Sequence, residues 1–102
     1  MFRATSRLLK CRITLFTREN CSLCDTAKSV VATVGKTTPF KYQEVNVMEP
    51  GQEKWRAVYE FDTPVIHVEK ASSGETTSSA RKLMHRFKEE EVSRLIEEVE
   101  RS

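Results

Sequence analysis

Apolar positions along this chain switch between a strand rhythm and a helix rhythm. Cys11-Arg12-Ile13-Thr14-Leu15-Phe16-Thr17 is short, rich in β-branched residues and closed by Arg18-Glu19-Asn20, which predicts a strand. Leu23, Ala27, Val30, Val31 and Val34 then recur at three- and four-residue steps, the mark of an amphipathic helix. Asn20 or Ser22 suits its N-cap, and Gly35 with Pro39 beyond it suits its stop. Phe40 to Val47 predicts a second strand ending before Pro50-Gly51. A short helix from about Gln52 to Tyr59 places Trp55, Val58 and Tyr59 on one face, where they read as core. Asp62-Thr63-Pro64 is a turn feeding a third strand through Val68.

Ala71 to Ala80 holds almost nothing apolar and predicts a flexible hairpin loop outside the core. Lys82 to Phe87 predicts a fourth strand. Glu89-Glu90-Glu91 suits the start of a last helix, whose stripe is Val92, Leu95, Ile96 and Val99. The element order is βαβαββα, with no internal repeat and no linker that would split it. Residues 11–102 therefore read as one domain behind a basic tail at 1–10.

The chain has 102 residues, the length of one ordinary domain. Lys and Arg exceed Asp and Glu by 17 to 15. So small a surplus, with no clustered excess, argues against a nucleic-acid partner. No window holds the ~20 apolar residues of a membrane-spanning helix. The first eighteen residues carry Arg3, Arg7, Lys10, Arg12 and Arg18 with no acid before Glu19. They lack a continuous apolar run, which excludes a secretory signal. A basic tail and a short mitochondrial-type presequence over roughly the first nine residues both fit. A cytoplasmic protein is expected, with the mitochondrion the alternative.

Three cysteines, an odd number, make no disulfide framework. Two of them form Cys21-Ser22-Leu23-Cys24, between a buried strand and the N-terminus of a helix. Helix N–H groups and the dipole favour an anion there, which makes Cys21 the candidate thiolate. Arg18 adds positive charge nearby; Glu19 and Asp25 oppose it. Cys24, one turn along on the same side, can attack a mixed disulfide at Cys21 and release the product thiol. The pattern also suits half of a metal site, and an inert pair is the third reading. A zinc site from Cys11, Cys21, Cys24 and His67 lacks a second paired-ligand motif. Cys11 reads as a small buried hydrophobe. His67 and His85 read as packing or surface residues, and Arg81, Lys82, Arg86 and Lys88 as a solvated edge. Pro64, at the first residue of a strand, needs no ladder N–H. From periodicity alone, its peptide bond is expected to be trans.

Arg18 through Cys24, the Thr63-Pro64 turn and the element order together resemble a glutaredoxin, within the thioredoxin-like group, over about Cys11 to Arg101. The resemblance implies a four-stranded mixed sheet with helices on both faces, and a cis bond at Thr63–Pro64. It implies Cys21 as nucleophile and Cys24 as resolving thiol in a thiol–disulfide oxidoreductase. Arg18, Thr63 and Pro64 would shape the substrate and glutathione groove. Glutathione would be reductant or co-substrate, the partners protein or low-molecular-weight disulfides, and the state a monomer.

Three features depart from the family. Ser22-Leu23 replaces Pro-Tyr between the cysteines, and Asn20 replaces the preceding aromatic. Arg86-Phe87-Lys88-Glu89 stands where a glycine pair and an acid would receive the γ-glutamyl carboxylate of glutathione. Ser22 also feeds a second reading, a carrier or sensor that bridges two chains through a [2Fe-2S] cluster on Cys21 and glutathione. The third is a thioredoxin-fold interaction protein without catalysis.

Overall fold

The computed structural model describes residues 9–102. The tail or presequence reading of the first residues therefore falls largely outside the described residues. Seven elements follow in the expected order: β1 (Cys11–Thr17), α1 (Ser22–Thr37), β2 (Lys41–Asn46), α2 (Glu53–Tyr59), β3 (Val65–Lys70), β4 (Arg81–Met84) and α3 (Glu89–Arg101). The strands form one sheet in the order β2-β1-β3-β4. β1 runs parallel to β2 and antiparallel to β3, and β3 runs antiparallel to β4. No helix among the described residues is long and apolar enough to cross a membrane.

Alternation along β1 and β3 sorts side chains onto the two sheet faces. Cys11, Ile13, Leu15, Ile66 and Val68 point to one face, where they meet Ala27, Val31 and Val34 of α1 and Val92, Ile96 and Val99 of α3. Phe16 and Val65 point to the other, where Trp55 and Tyr59 of α2 close over them with Val47. The rings of Phe16 and Trp55 lie 4.7 Å apart and those of Trp55 and Tyr59 are stacked at 5.7 Å. Burying three aromatics against one strand end fixes α2 to the sheet. The mixed sheet with helices on both faces is the architecture that the resemblance implies.

Five local expectations change. α1 runs through Gly35 to Thr37 instead of stopping, and a Cβ at Gly35 would lie 3.4 Å from the Phe40 ring. That glycine serves close approach of the strand-leading aromatic. Val58 lies 48% exposed on the outer side of α2 instead of joining the core. β4 ends at Met84, and Phe87 turns in to pack against the α1–α3 side. The polar loop after β3 does reach the interior, because Thr76 is buried. Its hydroxyl meets Nδ1 of the buried His67 at 2.7 Å, and Nε2 of that ring meets the Tyr59 hydroxyl at 2.6 Å. Arg12 holds the same loop by donating to the carbonyls of Ser73 and Gly74. Finally, the Thr63–Pro64 bond is cis, against the trans expectation from periodicity.

Candidate functional site

β1 delivers the chain to one edge of the sheet, where Arg18, Glu19 and Asn20 turn it into α1. Asn20 makes that turn at a φ of 57°, a left-handed conformation that asparagine tolerates better than most residues. The N-cap of α1 is neither Asn20 nor Ser22 but Cys21, whose Sγ accepts the Cys24 N–H at 3.1 Å. The first cysteine thus occupies the place where a helix offers unsatisfied N–H donors. Cys21 and Cys24 are joined by a disulfide, with Cα atoms 5.2 Å apart.

The two sulfurs differ in access. Cys24 is 1% exposed beneath the first turn of α1. Cys21 is half-buried and opens onto grooves on both of its sides. One groove, of about 500 Å³, runs toward β2 and is lined by Thr17, Glu19, Asp25, Lys28, Glu44 and Glu49, among others. The other, of about 490 Å³, runs toward the start of β3 and is lined by Leu23, Glu60, Phe61 and Thr63. Arg18 borders both. Its Nη1 donates to the Glu60 carbonyl at 2.8 Å, which ties the loop after α2 to the end of β1.

Cys21, Cys24, Arg18 and Thr63 are therefore brought to one rim, with Pro64 buried just behind it at the head of β3. Cys11 is not part of this assembly. It lies at the far end of β1, roughly 20 Å away at the usual rise per residue. There it is fully buried, with Sγ 3.7 Å from the Ile96 carbonyl. Burial pushes its thiol up to about 11, with Glu100 adding to the rise and Lys70 opposing it. The four-ligand zinc arrangement of Cys11, Cys21, Cys24 and His67 is not assembled. His67 spends both ring nitrogens on Tyr59 and Thr76, and no group of three or more His, Cys, Asp or Glu able to hold a metal occurs among the described residues.

A family model for the glutaredoxin-like domain (DUF836) matches residues 12–97, from β1 into α3. The chain belongs to the glutaredoxin-like domain family. Solved structures carry the same fold. This glutaredoxin-like chain superposes on the structural-genomics target XcR50 from X. campestris with a TM-score of 0.57 at 20% identity, covering 88% of this chain and 97% of that one. A mutant thioredoxin from Halobacterium salinarum NRC-1 gives a TM-score of 0.68 at 17% identity, over 93% of this chain and 79% of that one. Thioredoxin O2 from Arabidopsis thaliana, in its oxidized state, gives 0.62 at 13% identity, over 91% and 77%. At these identities the likeness is one of fold.

Sequence reasoning missed three residues around this rim. Phe61 stands 88% exposed beside Thr63. Asp62 meets His85 across the turn, at 3.2 Å. His85 itself adopts a φ of 66°, just after β4, where the family places glycines. The aromatic in an otherwise polar turn before Thr63-Pro64 was a readable signal. The Asp62–His85 contact joins residues far apart in the chain and left no local sign.

Proposed function

We propose that this chain is a dithiol–disulfide exchanger, with Cys21 the attacking sulfur and Cys24 the resolving one. The observation that carries the reading is the unequal access of two bonded sulfurs: Cys21 opens onto two grooves and Cys24 is covered. Nothing but the rim sulfur can be met by an incoming disulfide. The Cys24 N–H that meets Cys21 Sγ would stabilise a thiolate there by the same hydrogen bond.

In the reduced protein, the Cys21 thiolate attacks one sulfur of a substrate disulfide. The substrate S–S bond breaks, a mixed disulfide forms at Cys21, and the departing substrate thiolate takes a proton from solvent. Cys24, having given up its proton, attacks Cys21 Sγ. The second substrate thiolate leaves and is protonated, and the Cys21–Cys24 disulfide remains. Two electrons have passed from the protein dithiol to the substrate. Two glutathione thiols then reduce the protein disulfide and leave as oxidised glutathione, closing the cycle.

Arg18 and Thr63 line the groove that receives the substrate, and Pro64 fixes the backbone behind it. Arg18 uses Nη1 on the Glu60 carbonyl and presents the rest of its guanidinium to a substrate or glutathione carboxylate. The chain acts as a monomer on protein and low-molecular-weight disulfides.

The test is steady-state reduction of a small glutathione mixed disulfide by glutathione, coupled to glutathione reductase, for wild type and Cys21→Ser side by side. Turnover falling to the uncatalysed rate in the variant is the expected result. Full activity in Cys21→Ser would refute the assignment. A wild type that is inactive with glutathione but active with a thioredoxin-type reductant would remove glutathione from the cycle and leave the exchange intact.

A further inference from the structure

We propose that loop 60–64 is a recognition ledge for polypeptide disulfides, with Phe61 meeting an apolar side chain of the substrate and His85 a positioning residue that holds the ledge in place. The proposal rests on the exchange reading above and names the substrate class of that same site.

The starting observation is a large aromatic held out in water. Phe61 is 88% exposed, far beyond Val58 and Tyr42, the other large apolar side chains on the surface. Its loop is not loose. The Asp62 N–H donates to the Tyr59 carbonyl at 2.9 Å, and Arg18 donates to the Glu60 carbonyl at 2.8 Å. From the other side, the His85 N–H donates to the Pro64 carbonyl at 2.7 Å, and His85 Nε2 lies 3.2 Å from Asp62 Oδ1. Four ties flank one ring, so the ring is displayed by a fixed backbone rather than exposed by slack.

His85 reaches both ends of that turn from a backbone that histidine adopts at some cost. Its φ of 66° lies in the region glycine enters without strain. A glycine there would keep the N–H bond to Pro64 and lose the side chain. The imidazole is what reaches Asp62, between Phe61 and Thr63. His85 touches no groove lining and acts through the loop.

The occupant follows from what the ledge offers. Phe61 and Thr63 share one groove with Leu23 and Cys21. Among the described residues, neither the N–H nor the carbonyl of Thr63 is taken by another backbone group. A free backbone donor and acceptor next to an apolar ring, beside a reactive sulfur, match an extended polypeptide that carries an apolar residue near its own cysteine. A small disulfide can reach Cys21 without engaging either.

The experiment mixes reduced full-length protein with excess disulfide and no glutathione, and follows thiol release in a single turnover. Three probes are compared: a peptide disulfide with Leu beside the cysteine, the same peptide with Ser, and bis(2-hydroxyethyl) disulfide. Wild type should prefer the Leu peptide over the Ser peptide. Phe61→Ala should cut that preference roughly fivefold to tenfold, through the half-saturating concentration and not the limiting rate. His85→Gly should cut it about threefold, and His85→Asn, which tolerates the same φ and keeps a hydrogen-bonding side chain, should restore it. Melting curves check that each variant is folded.

Exchange with all three probes and no Leu preference overturns the ledge and leaves the exchange reading standing. A preference that survives Phe61→Ala overturns it too. If His85→Gly matches wild type while Phe61→Ala does not, the positioning role falls. No exchange with any probe in wild type removes both readings.

Discussion

Strand β1 starts at Cys11 and leads out to Cys21, and the fold treats the two sulfurs in opposite ways. Cys11 sits among the aliphatic side chains of β1, β3 and α3, sealed from water, with a backbone carbonyl as its one polar neighbour. Desolvation raises its thiol to about 11. Cys21 sits at the rim, on the N-terminus of a helix, bonded to Cys24 and open to two grooves. The two histidines repeat the contrast. His67 is wholly buried between Tyr59 and Thr76, and His85 stands exposed over the Asp62–Pro64 turn. Residue type sets what chemistry is available; depth and neighbours decide whether it is used. The strand pleat decides depth, because Cys11 falls on an inward position and Cys21 falls beyond the last paired residue.

The sharpest way to break this comparison is to alkylate the reduced, folded protein with iodoacetamide near pH 7 and follow each cysteine by mass spectrometry. A thiol raised from the ordinary value near 8.5 to about 11 has about 300-fold less thiolate, and burial slows it further. Cys21 should be modified fully while Cys11 stays intact. After unfolding in denaturant, Cys11 should react like any free thiol. Comparable rates at the two sites in the folded protein would erase the distinction.

The second prediction concerns the buried histidine. Desolvation, with Lys82 adding to it and Glu69 opposing, pushes His67 down to about 4 from an unfolded value of 6.5. Between those values the unfolded chain binds the extra proton and the folded one does not. Stability therefore rises with pH across that window, and is lost as pH falls from about 6.5 to about 4. The amount is about 3 kcal/mol. Urea unfolding at pH 7, 6, 5 and 4 measures it, and His67→Gln, which cannot titrate, should flatten this part of the slope. An imidazole of His67 titrating near 6 by NMR in the folded protein would sink the idea.

How much of this was legible depends on how local each cause is. The strand-to-helix placement of Cys21 and Cys24 could be read, because β1 alternates over a few residues and the α1 stripe repeats over the next few. So could the burial of Trp55 and Tyr59. Cys21 as its own helix cap could not, because the residue preferences for caps favour Asn20 and Ser22. Thr76 could not, because its burial depends on His67 across the hairpin, a polar pairing that composition hides. Gly35 looked like a stop because glycine usually marks one; the reason it lies within α1 is the Phe40 ring, which only packing reveals. His85 in a left-handed backbone was hidden by the expectation that glycine takes such positions.

The smallest predicted effect sharpens the comparison by crossing stability against activity. Cys11→Ala removes one buried heavy atom from a packed cluster, so it should cost about 1 kcal/mol of stability and leave exchange at Cys21 unchanged. Cys21→Ala, compared under reducing conditions so that the disulfide contributes to neither protein, removes a half-buried side chain at the rim and should cost less than about 0.5 kcal/mol. It should nevertheless abolish exchange. Chemical denaturation of both variants beside wild type, with the single-turnover assay on the same samples, gives all four values. If the rim variant loses more stability than the core variant, Cys21 serves the fold before it serves chemistry. If Cys11→Ala lowers exchange while the protein stays folded, the two ends of β1 are coupled, and the environment of each sulfur alone would not account for its behaviour.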